Sequence, residues 1–350
     1  MPVKTIEWLG GKIRIIDQTQ LPEQLIYLTI DRVEELAEAI RNLRIRGAPA
    51  IGIAGAMGVA LTAFQHTEED KNRWIEKLIS TIHILKETRP TAVNLFWALD
   101  RMRRLINSTE DESVETIRDR LVEEALSILE EDRQICRRIG KNGAALIPQE
   151  ATILTHCNAG SLATADYGTA LGVVYTAVES GKKVKVYADE TRPLLQGSRL
   201  TAWELKESGI DVTVICDSAA GFLMEQKKID CILVGADRIA ANGDVANKVG
   251  TYTLAVLAQK HRIPFYVVAP LSSFDFSITS GDFIPIEERS GEEVVNGFET
   301  RTAPTGIRVY NPAFDITPHE LVHAFVTEQK ILYPPYIKSI SDIFGKNSPK

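Results

Sequence analysis

In the stretch CILVGADRIAANGDVANKVGTY (231–252), an apolar run from Cys231 closes on a carboxylate, Asp237, and an amide and an ammonium, Asn247 and Lys248, follow ten residues later where a helix is expected to start. A second apolar run, ATILTHC (151–157), delivers a thiol, Cys157; KVKVYAD (183–189) and DVTVICD (211–217) close on Asp189 and Asp217. A carboxyl and a thiol on one rim can exchange protons with a substrate, the carboxyl as acid and the thiolate as base. The competing reading is structural, because Asp is also a favoured cap for a following helix. An acid that works near pH 7 needs its proton held by burial or by a neighbouring negative charge. His156 stands next to Cys157, but adjacent strand residues point to opposite faces, so its ring faces away unless the turn has already begun. Cys216 and Cys231 read as buried packing thiols.

Two further stretches carry candidate anion contacts. IRGAPAIG (45–52) puts Arg46 and Gly47 directly before a helix with Pro49 in its first turn. A guanidinium beside free helix N–H groups suits a phosphate, although an arginine capping a neighbouring helix explains the same residues. ADETRPLLQGSRLTAWEL (188–205) leaves a strand end through a proline-broken loop, where Gln196 is either a hydrogen-bonding side chain or simple loop polarity. In CNAGSLAT (157–164), Asn158, Gly160 and Ser161 fall at a strand-to-helix turn whose N–H groups could hold an anion. No G-x-G-x-x-G follows the first strand of this region, and no phosphate-loop motif occurs. The six histidines are scattered and none shares zinc spacing with a cysteine, so no metal and no organic cofactor is expected.

These residues need elements to hold them. Residues 5–30 alternate apolar and polar around Gly10-Gly11, which predicts a small antiparallel meander. Helical spacing follows from 31 behind an Asp31 cap, then over 49–64, 71–86, 93–105 and 112–140. After Pro148 the rhythm changes to short apolar runs, at 151–157, 183–189, 211–217, 230–237 and 264–270, separated by helical segments such as 162–179, 201–208 and 249–261. Continuous apolar strands alternating with helices predict a doubly wound parallel α/β sheet, whose ligands bind beyond the carboxyl ends of the strands. The expected division is a helical domain with a small meander over 1–125 and the α/β domain over 126–350.

Composition bounds the function. Hydrophobic residues make up 44% and charged residues 25%, as in ordinary globular proteins. A net charge of −7 argues against nucleic acid or an anionic membrane as the main partner. The four cysteines form no disulfide framework, which predicts reduced thiols and a cytoplasmic location. The N-terminus lacks a basic segment followed by an apolar one, so no secretion signal is expected. The longest apolar run, 49–64, has 16 residues, short of the ~20 that a membrane span needs.

Six motifs in order, RGAPAIG (46–52), NLFWALDRM (94–102), THCNAGSLAT (155–164), DETRPLLQGSRLTAWEL (189–205), GADRIAANGDVANKVGTY (235–252) and NPAFDITP (311–318), resemble the methylthioribose-1-phosphate isomerase family over nearly the whole chain. The resemblance implies a mostly helical N-terminal domain with a small sheet, then a Rossmann-like domain. It implies conversion of 5-methylthio-ribose 1-phosphate to 5-methylthio-ribulose 1-phosphate in methionine salvage, by a homodimer without metal or organic cofactor. Carried over residue by residue, it implies Cys157 and Asp237 as the catalytic pair, and Arg46, Gly47, Ala48, Arg89, Gln196, Asn247 and Lys248 as substrate contacts. The alternatives are a sibling isomerase of 5-deoxyribose 1-phosphate or ribose 1,5-bisphosphate, and a non-catalytic protein akin to the regulatory subunits of the translation-initiation guanine-nucleotide exchange factor.

Overall fold

The computed structural model describes residues 3–65, 70–90, 92–108, 111–297 and 300–344, in two compact units. The first comprises Met1–Cys136 and Gly160–Gly168. It opens on the expected antiparallel meander, β1 (Ile6–Trp8), β2 (Ile13–Ile16) and β3 (Tyr27–Ile30), with Gly10 and Gly11 at positive φ in the first turn. Five helices follow: α1 (Val33–Arg41), α2 (Ala48–Gln65), α3 (Lys71–Lys86), α4 (Val93–Asn107) and α5 (Val114–Ala144). The cap expected at Asp31 is not made: Arg32 holds that position without a side-chain bond, and the Asp31 carbonyl accepts from Gln65 Nε2 at 2.5 Å. Asp70 is the working cap, accepting from the Asn72 and Arg73 amides at 2.9 and 3.4 Å.

Small residues decide how α2 packs. A Cβ on Gly52 would lie 2.8 Å from the Asn94 carbonyl oxygen, and one on Gly55 would lie 2.6 Å from Leu95. The backbones of α2 and α4 therefore approach closely, with their N-terminal turns side by side. The apolar run at 49–64 is the core of this unit. Its helix is long and apolar enough to cross a membrane, yet 78% of that window is buried inside the protein.

The second unit comprises Arg137–Ala159 and Thr169–Lys350, so the division falls at 136/137 rather than at 125/126, and 160–168 belongs with the first unit. The cause is α5, which has no break at 125. Its Ile117, Leu121, Ala125, Ile128 and Leu129 pack in the first core. Its Gly140 instead meets Gly172 and Thr176, on α6 (Ala170–Glu179) of the second unit.

The second unit is built on seven strands in the order β16-β15-β10-β7-β4-β5-β6. These are β4 (Glu150–Thr155), β5 (Lys183–Asp189), β6 (Asp211–Ile215), β7 (Cys231–Val234), β10 (Phe265–Val268), β15 (Ala324–Val326) and β16 (Ile331–Leu332). All neighbours pair parallel except β15 with β16. Crossovers run through α6, α7 (Ala202–Glu207), α8 (Ala220–Glu225) and α9 (Thr251–His261). The chain lays β5 and β6 on one side of β4 and then returns to place β7 on the other, which makes the β4/β7 boundary the topological switch point.

A smaller sheet, in the order β11-β8-β9-β14, is formed by β8 (Arg238–Ala240), β9 (Val245–Lys248), β11 (Phe274–Asp275) and β14 (Phe314–Thr317). The short elements α10 (Glu292–Val295), β12 (Asn296–Gly297), β13 (Thr300–Arg301) and α11 (Tyr336–Phe344) complete the description. The helix expected at Asn247-Lys248 begins only at Thr251, because β9 is held as a strand by β8 on one side and β14 on the other.

Candidate active site

Cys157 and Asp237 leave the two strands that flank the switch point, β4 and β7. Cys157 has φ 62°, a left-handed backbone that a residue with a Cβ adopts at a cost of ~1–2 kcal/mol. Two threonines hold it there. The Cys157 N–H donates to Thr191 Oγ1 at 2.8 Å, and Thr201 Oγ1 donates to the Cys157 carbonyl at 2.6 Å. Thr201 also accepts from Asn158 Nδ2 at 3.2 Å, and that amide bonds the buried Glu204, which in turn accepts from Tyr175 at 3.2 Å. The thiol of Cys157 belongs to a partly exposed residue, whereas Cys136 and Cys231 are buried. Cys216 is exposed, not buried as its run suggested, because β6 is an edge strand.

Asp189 and Asp217 take structural roles. The Asp217 carboxylate accepts the Thr191 and Arg192 amides at 2.7 and 2.8 Å, which fixes the loop that reaches Cys157. Asp189 is fully buried and bonds His156 Nδ1 at 2.9 Å, while His156 Nε2 meets the Val249 carbonyl at 2.9 Å. Both ring nitrogens are thus committed away from the thiol. His156, Asp189 and Asp217 bring ligand atoms within 4.8 Å of one another, as do Asp244, His319 and Glu320. The bonds just described account for the first group. In the second, Asp244 accepts the Gly281 and His319 amides at 2.9 and 3.0 Å.

Gln196 is buried, and its Oε1 has no hydrogen-bond partner among the described residues, an arrangement that suits a ligand donor. Gly197 follows it, and a Cβ there would lie 1.6 Å from the Asp189 carbonyl oxygen. Gly197→Ala is therefore expected to cost about 3 kcal/mol or more, by overpacking against backbone that cannot yield. Thermal unfolding checks this, and a parental Tm contradicts it.

Asp237 donates its N–H to the Ala246 carbonyl at 3.0 Å, and β8 and β9 pair with Arg238 opposite Ala246. Asp237 stands just before β8, and its bond to Ala246 ties the backbone of the carboxylate residue to β9, the strand that also carries the amide of Asn247. Asn247 is buried and donates to Thr251 Oγ1 at 3.0 Å. Lys248 donates to the Ala313 carbonyl at 2.9 Å, with its Nζ 4.7 Å from the centre of the Phe314 ring. Asp315, opposite Asn247 on β14, accepts the Gly250 and Tyr252 amides at 2.6 and 3.1 Å and so caps α9. Burial pushes the Asp315 carboxyl above its ordinary value.

In the first unit, Arg46 and Gly47 immediately precede α2, which starts at Ala48, and Arg89 lies in the turn between α3 and α4. Gly47 has φ 94°, and a Cβ there would lie 2.4 Å from Ala163 Cα, so both its backbone and its lack of a side chain are required. Because α2 and α4 start side by side, two helix N-termini flanked by arginines face one end of this unit, an arrangement suited to an anion. The signal for this lies in the glycine and alanine spacing of 49–64.

Residues 44–334 match the initiation factor 2 subunit family. The chain is 51% identical over 346 residues to methylthioribose-1-phosphate isomerase of Geotalea uraniireducens, covering 99% of this chain and 100% of that one. It superposes with a TM-score of 0.93 on the crystal structure of 5-methylthioribose 1-phosphate isomerase from Pyrococcus horikoshii, at 47% identity, covering 98% of this chain and 96% of that one. The crystal structure of the translation initiation factor eIF-2B, subunit delta, from A. fulgidus gives a TM-score of 0.88 at 47% identity, covering 97% of this chain and 99% of that one. With such relatives matched from end to end, and with the fold and motif order they share, the chain belongs to the methylthioribose-1-phosphate isomerase family.

Proposed function

We propose that this chain isomerises 5-methylthio-ribose 1-phosphate to 5-methylthio-ribulose 1-phosphate, an aldose–ketose step of methionine salvage. The observation that carries the reading is the switch point, where the strained Cys157 and the hairpin-mounted Asp237 leave adjacent parallel strands. A sugar phosphorylated on its anomeric oxygen is closed as a ring and has no free carbonyl. The reaction therefore needs an acid to protonate the ring oxygen and a group to manage the hydrogen at C2. Asp237 is assigned as the acid that opens the ring and later takes the O2 proton. Cys157 is assigned to C2, either as the thiolate base of an enediol route or as the group stabilising charge while a hydride moves to C1. Arg46, Gly47, Ala48 and Arg89 at the paired helix starts, with Gln196, Asn247 and Lys248, are assigned to the sugar phosphate. A cytoplasmic location, supported by four free cysteines, and a homodimer, implied by the family resemblance, are part of the same reading.

The A. fulgidus structure favours a second reading, a non-catalytic initiation-factor subunit, since that relative, at 47% identity, is described as one. Turnover decides. The protein is incubated in D₂O with 5-methylthio-ribose 1-phosphate and followed by NMR. Ketose formation is expected, with deuterium at C1 marking proton transfer and its absence marking a hydride shift or a shielded proton. Conversion of 5-deoxyribose 1-phosphate or ribose 1,5-bisphosphate instead moves the chain to a sibling activity. All three sugars unchanged with folded protein present supports the subunit reading.

A further inference from the structure

Among the described residues of the second unit not assigned to substrate, His156 and Asp189 form a deeply buried ionisable pair, each 1% exposed by side chain. The ring joins three places. It sits beside Cys157 at the end of β4, it bonds the carboxylate that ends β5, and it bonds the Val249 carbonyl directly after Lys248. Gly250 is moulded to it, since a Cβ there would lie 2.9 Å from the ring.

The bonding fixes the proton count. A carbonyl can only accept, so Nε2 carries a proton toward Val249. The 2.9 Å contact between Nδ1 and Asp189 then needs a second proton, because two lone pairs cannot bond each other. The pair is therefore neutral as a unit, whether written as imidazolium with carboxylate or as imidazole with carboxylic acid. The other Asp189 oxygen, Oδ1, is buried with no hydrogen-bond partner among the described residues, which adds to the need for that shared proton.

We propose that His156 and Asp189 form a positioning pair whose shared proton holds Cys157 in its left-handed conformation and sets the distance from it to the Lys248–Gly250 turn. The inference rests on the assignment of Cys157 to the isomerisation. Neither residue touches the substrate in it. The Thr191 and Thr201 bonds hold the Cys157 peptide from one side, and the His156 ring anchors the preceding residue from the other. The charged groups around the pair are Asp189 at the end of β5, Glu190 directly after it, Asp217 after β6, and Asp315 on β14. Burial of the ring opposes its charge, but the Asp189 bond and charge outweigh this and hold the imidazole above its ordinary value. A raised histidine contributes fully below its unfolded value and loses that contribution as pH rises through the folded one. The clamp therefore releases on the alkaline side.

The test compares His156→Gln with Asp189→Asn in a Cys216→Ser background, where Cys157 is the one cysteine left outside the buried class. An amide at 189 can donate to Nδ1 while Nε2 still donates to Val249, so Asp189→Asn keeps the geometry without a titrating proton. His156→Gln is expected to lower kcat about 10- to 100-fold with KM within about threefold, as a displaced reacting group does. Its Cys157 is expected to react with iodoacetamide at least about fivefold faster, read by mass without substrate, because a loosened turn exposes the thiol. Asp189→Asn is expected to recover most of the loss in both readouts and to flatten the alkaline fall of kcat. Parental kcat and alkylation in His156→Gln overturn the proposal. Equal damage by both variants also overturns it, in favour of proton transfer through the pair. If His156→Gln fails to fold, the alkylation rate and pH profile of Asp189→Asn decide alone. If the unaltered protein turns over none of the sugars, the isomerase reading fails and the alkylation comparison still decides the positioning role.

Discussion

Cys157→Ala lowers kcat by about 10³- to 10⁴-fold, the loss that removal of a positioned proton-transfer group or nucleophile produces. The fold survives the change. The two bonds that hold residue 157 come from its own N–H and carbonyl, to Thr191 and Thr201, and neither uses the sulfur. Alanine carries the same Cβ as cysteine and meets the same backbone cost at φ 62°. Tm is accordingly expected to move by less than about 3 °C, well under the shift that a core cavity would give. Steady-state kinetics and a thermal melt on one preparation check both halves. Normal turnover removes Cys157 from the chemistry, and a large fall in Tm makes it a scaffold residue.

Asp237→Asn lowers kcat and kcat/KM together, by about 10²- to 10³-fold, while KM stays within a few-fold. The backbone N–H of residue 237 still donates to Ala246, so its tie to β9 is kept. An amide has the shape of the carboxyl but no proton to give to the ring oxygen. The pattern separates an acid from a binding group, because loss of a binding contact alone raises KM at constant kcat. Substrate-saturation curves at several pH values read the difference, and a change confined to KM sinks the acid–base role.

Where the sequence alone was sufficient, one period dominated. The helix 71–86 and the strand 183–189 were placed to the residue, since each has a clear repeat and clear ends. The rim of the doubly wound sheet was equally legible, because buried parallel strands are continuous apolar runs that stop where a polar residue appears. What was hidden lay in partners far along the chain. Asn247 and Lys248 precede a helix, and only the pairing of β9 with β8 and with β14, some seventy residues on, keeps them extended. No local pattern announces that 160–168 packs with the first unit, or that one helix runs through the division at 136/137.

The rim carboxylates show the same limit at the site. Asp189, Asp217 and Asp237 end their runs alike, yet one is buried against a histidine, one holds two loop amides, and the third is assigned above to the substrate. Residue type and position are shared by the three. Their roles differ by what the neighbouring strands bring to them, and that is a property of the sheet order. His156 was set aside as a base from strand alternation, but β4 ends at Thr155 and the turn has begun at Cys157; what commits the ring is its bonds to Asp189 and to Val249, the latter spanning 93 residues with no counterpart in the sequence.

The left-handed backbone at Cys157 has a consequence for descent within the family. Every copy of the chain carries that strain whether or not it meets a substrate, so on the assignment proposed above it is turnover that keeps a thiol there. A lineage that abandoned the reaction and kept the fold for assembly would gain stability by drifting to Gly or Asn at this position, the residues most at ease with positive φ. On that assignment, the residue aligned with Cys157 is expected to serve as a fossil marker of past or present catalysis, legible in any relative without a structure.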